Sequence, residues 1–193
     1  MPDTLKSICD QCRHLNNPQL DFIPEELARN RQVILRDLGE LVAAASGERE
    51  KTVVLLGGSI LEAVLFTFIQ GQAEYIAERR GAFQFNPELS LQNYVDQFNR
   101  WFSDVLPNAV IPDFVVRYRD LVHINRELAS PSGVCTGASR ELLRMLDAVL
   151  GEMSQFAKPA PVDPVRLLVE FLRRLLSTLC DRLKRLLFET PRT

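Results

Sequence analysis

An all-α helical bundle is the fold this sequence predicts, a body of about five helices with a further amphipathic helix appended at the C-terminus. Three observations lead there. Leucine is abundant, no run alternates apolar and polar residues as a half-buried strand would, and proline and glycine cut the chain into segments of helical periodicity. The 193 residues suffice for one domain with a sizeable core. An apolar share of 46% and a charged share of 25% are those of an ordinary globular chain. With 23 basic against 25 acidic residues, the net charge of −2 creates no general attraction for nucleic acid, so any such binding has to come from a local patch.

The elements follow in chain order. A short amphipathic piece precedes Asn16-Asn17-Pro18. The first long helix opens near Pro24 in "IPEELARNRQVILRDLGELVAAAS", with acids early where the helix dipole favours them, and ends at Ser46-Gly47. A second runs through "TVVLLGGSILEAVLFTFI", residues 52 to 69, toward Arg79-Arg80-Gly81. That stretch approaches the length of a membrane span, but Glu62 near its centre and the Gly57-Gly58 pair favour a buried bundle helix. A third starts near Ser90 and stops before Pro107, and a fourth begins at Pro112 and ends before Ser130-Pro131-Ser132-Gly133. The fifth is "SRELLRMLDAVLGEMSQF". The N-terminus lacks a basic leader and an apolar signal core, and the four cysteines, at 9, 12, 135 and 180, do not form a disulfide framework. Both point to a cytoplasmic setting.

The fourth segment carries the chemistry. "RYRDLVHINREL", residues 117 to 128, contains one of the chain's 2 histidines. At about 100° per residue, Phe114, Val115, Tyr118, Leu121, Val122 and Ala129 gather into one apolar sector. Arg119, Asp120, His123, Arg126 and Glu127 fall opposite. Arg119 and His123, four apart, stack on one face, whereas Arg117 points roughly a third of a turn away. On spacing alone this reads as a solvated face. Val116, apolar amid the polar sector, suggests a covered surface that a partner subunit could supply.

"LLGGSILEAVL", residues 55 to 65, followed by "RYRDLVHI" about sixty residues later, resembles the HEPN superfamily of all-α domains from prokaryotic defence and toxin–antitoxin systems. The resemblance covers roughly residues 25 to 157. It implies a homodimer in which Arg and His meet across the interface and cut RNA without metal, leaving a cyclic phosphate. On that reading His123 matches the family histidine, Arg119 the arginine and Asp120 the polar residue after it. Arg119 leaves three residues before His123, where the family has about four to six; Arg117 leaves five but is followed by Tyr118. The chemistry suits the residues. A histidine with a pKa of about 6.5 can deprotonate a ribose 2′-hydroxyl or protonate the leaving oxygen. An arginine can grip a phosphate in two places and offset charge as it builds. Two such helices paired symmetrically would supply both a base and an acid.

Glu62 is expected to be partly buried, since Leu55, Gly58, Phe66 and Ile69 surround it on a helix. A carboxylate there calls for a partner, Arg117 or Arg119, as a brace or to position the active arginine. No cofactor and no metal are implied. Cys9, Cys12 and His14 form "CDQCRH", but one C-x-x-C without a second pair is thin evidence for zinc, and apolar helix-borne cysteines are the plainer reading. Neither phosphate-loop glycine motif occurs.

Composition changes at "KPAPVDP", residues 158 to 164, a stiff connector. The predicted organisation is therefore a helical domain over 1–157 with its core at about 25–157, a linker over 158–164 and a C-terminal helix over 165–193. In that helix Val165, Val169, Leu172, Leu176, Leu179, Leu183 and Leu186 repeat at alternating four-and-three spacing, flanked by Arg166, Arg173, Arg174 and Arg182. It can pack back on its own body, or serve oligomerisation or the capture of an antitoxin or other protein partner; membrane contact is the remaining, less favoured reading. Two functions follow: a metal-independent endoribonuclease, or a non-catalytic helical dimerisation and interaction module.

Overall fold

The computed structural model describes residues 4–81, 83–113, 115–116 and 134–156, and every described element is helical or a turn. All of them belong to one compact unit, Met1–Lys158. The all-α expectation is met. In chain order the helices are α1 (Leu5–Gln11), α2 (Arg13–Asn16), α3 (Ala28–Ser46), α4 (Glu50–Gly71), α5 (Ala73–Arg80), α6 (Leu91–Phe102) and α7 (Val134–Phe156), with 3-10 turns at Glu25–Leu27 and Pro107–Ala109. The expected linker at 158–164 and the helix beyond it lie outside the described residues.

α4 is the central helix. It packs against α3, α6 and α7, and buries Val53, Val54, Ile60, Leu61, Val64, Leu65, Phe68 and Ile69. Among the described residues it is the one helix long and apolar enough to cross a membrane, yet most of that apolar stretch is buried inside the protein itself. Gly57 explains how closely α7 approaches. A Cβ at that position would lie 2.5 Å from Leu142 Cδ2 and 2.9 Å from its Cγ. Phe68 anchors an aromatic cluster with Phe22, Phe98, Phe102 and Phe156, mostly edge to face at centroid separations of 5.0 to 5.8 Å.

Several boundaries differ from the sequence expectation. The second long helix breaks at Gln72 into α4 and α5 instead of running on to Arg80. Beside the break Gly71 lies against the Pro24 ring, where a Cβ would come 3.0 Å from Cδ. Pro24 itself is extended, with φ −58° and ψ 157°, so a 3-10 turn precedes α3 and the proline does not occupy its first turn. α7 begins at Val134, earlier than Ser139. α6 starts next to Ser90 as expected, and Ser90 caps it, accepting from Asn93 N at 3.3 Å.

The largest difference is at the N-terminus. Leu5, Ile8, Cys9, Cys12, Leu15, Leu20, Phe22 and Ile23 are all buried in the same core as α3, α4 and α7, so the core starts at Leu5 and not near residue 25. Two carboxylates from the body cap the two short helices. Glu48 accepts from Leu5 N and Lys6 N, each at 3.0 Å, and Asp147 Oδ1 accepts from His14 N at 2.6 Å and Leu15 N at 3.0 Å. Glu48 sits at φ 53° in the turn between α3 and α4, the left-handed region that side chains other than glycine seldom adopt. Its carboxyl is held below the usual range, chiefly by the Lys6 and Leu5 backbone N–H groups.

Candidate functional site

Of the five residues singled out, Glu62 is within the described structure. Arg117, Arg119, Asp120 and His123 lie outside the described residues. The site can therefore be built from the α4 side and from the segment that leads into the motif.

On α4, residues four, seven and eleven positions after Leu55 share its face. Leu55 is 43% exposed, Ser59 is exposed, and Glu62 and Phe66 are half-buried, so this is a strip the core leaves uncovered or only partly covered. The partial burial expected of Glu62 is observed. Its charge is felt by Tyr94 on α6, a residue with 2% exposure whose hydroxyl donates to Asn86 O at 3.2 Å. Burial pushes the Tyr94 phenol up, and the negative charge of Glu62 adds to that shift. Phe66 extends the contact, meeting Tyr94 and Phe85 edge to face. Sequence reasoning missed Tyr94. Its place in "SLQNYVDQF", facing the core with Leu91 and Phe98, was legible, but its proximity to Glu62 depends on how α4 and α6 pack.

The entry to the motif is fixed by Asn99 on α6. Its side chain donates to Ile111 O at 2.7 Å and accepts from Ile111 N at 2.9 Å, mimicking a strand partner for one residue. Leu106, Ala109, Ile111 and Val115 are buried along the same path, and Asn108 Nδ2 donates to Glu152 Oε1 on α7 at 2.8 Å. Val115 N then donates to Pro112 O at 3.2 Å where the fourth segment begins. Val115 lies in the core, as its apolar sector predicts. Val116 is half-buried against that core, so part of the cover it called for comes from the chain's own interior.

Cys9 and Cys12 are buried free thiols. Burial raises both, with Asp147 adding to the effect, and Cys12 is pushed up to about 12. Cys12 Sγ faces Leu143 O at 3.9 Å. Thiols so raised are held in their protonated form. Among the described residues no group of three or more His, Cys, Asp and Glu side chains comes together to hold a metal. The His14 imidazole lies over Gly151 of α7, where a Cβ would meet Nε2 at 2.8 Å.

No protein-family model, no curated protein and no solved structure matches this chain.

Proposed function

We propose that this protein is a HEPN-like helical domain acting as a metal-independent endoribonuclease of a prokaryotic defence or toxin–antitoxin system. The observation that carries the reading is the ordered pair of motifs, Gly58-Ser59 with Glu62 and then Arg119 with His123. The all-α bundle and the half-buried position of Glu62 on the central helix are compatible with it. In this mechanism His123 moves the proton of the 2′-hydroxyl and Arg119 offsets the charge on the phosphate. Asp120 is the polar residue beside them, while Glu62 and Arg117 support the arrangement. A homodimer and a cytoplasmic setting belong to the same reading, as does an antitoxin bound through the expected C-terminal helix.

The three-residue spacer between Arg119 and His123 favours a second reading, a helical interaction module that keeps the dimer without catalysis. One experiment separates them: incubation of the full chain with single-stranded RNA in EDTA near pH 7, with product ends analysed. The enzyme reading expects cyclic-phosphate ends and their loss in His123→Ala at unchanged helical content. Absence of cleavage by the wild type on every RNA tried, with a stable dimer, would establish the module instead.

A further inference from the structure

We draw no further inference here: the strongest candidate, the open cleft lined by Pro24, Glu26, Gln70 and Glu74 where α4 gives way to α5, is a cluster of carboxylates whose unpaired Gln70 Oε1 is sealed from solvent, and no second observation there points to a ligand.

Discussion

α7 meets α4 and the two N-terminal helices by opposite means. Against α4 it makes a dry seam, in which Leu142 fills the notch left by Gly57. Against α2 the apolar contact is supplemented by charge, with Asp147 of α7 closing the open N-terminus, while α1 receives the same service from Glu48 on the α3–α4 turn. The difference follows from length. A helix of 22 residues satisfies most of its own backbone, whereas helices of 7 and 4 residues have nearly all their N–H groups at an end. Short helices therefore require the body to supply acceptors, and long ones require only shape.

The comparison breaks most easily at the dry seam. Gly57→Ala should destabilise the fold by about 1–3 kcal/mol, because overpacking against a buried leucine outweighs the gain of up to about 1 kcal/mol in helix propensity. Urea unfolding checks this through a lowered midpoint at constant slope; an unchanged or raised midpoint would show that Leu142 yields freely. Asp147→Ala, on the charged side, should cost about 1–2 kcal/mol, the ordinary value of a lost N-cap. If the caps matter as described, protection from hydrogen exchange should fall at His14 and Leu15 in that variant and hold in α4.

Glu48 supplies the smallest and most specific effect, since it titrates. Its folded pKa lies below the ordinary 4.5, so the stability it contributes is complete above that value and is lost as the pH falls through the folded value. Wild type should therefore exceed Glu48→Gln in melting temperature at neutral pH, and the gap should close in acid. A gap that persists unchanged below the folded value would mean that the carboxylate charge is irrelevant to the cap.

The same contrast explains what could be read from sequence. α3, α4, α6 and much of α7 follow from apolar periodicity, Gly47 and the Ser90 cap, all of them local signals. The N-terminal piece was legible as amphipathic, but its place in the main core was not, because what fixes it lies far along the chain: Glu48 is 43 residues from Leu5, and Asp147 is 133 from His14. The close approach of Gly71 to the Pro24 ring beside the break at Gln72 escaped because it depends on how distant segments pack. At the site, the partial burial of Glu62 was legible from its helical neighbours. Tyr94 beside it, and the Asn99 side chain that pins Ile111 at the entry to the motif, were not, since both arise from packing between elements. Val116 read as a surface for a partner to cover, and its sector could not say that the chain's own core covers it in part.

The central functional claim is that His123 works with the arginine on its own helix face. Rates of metal-free RNA cleavage by Arg119→Ala and Arg117→Ala, measured side by side at matched stability, test it most directly. The account predicts that Arg119→Ala slows cleavage on the order of a hundredfold or more, the usual cost of a lost charge-stabilising donor, while Arg117→Ala costs far less. If Arg117→Ala proves the more damaging change, the five-residue spacer is the true register and the same-face pairing is wrong.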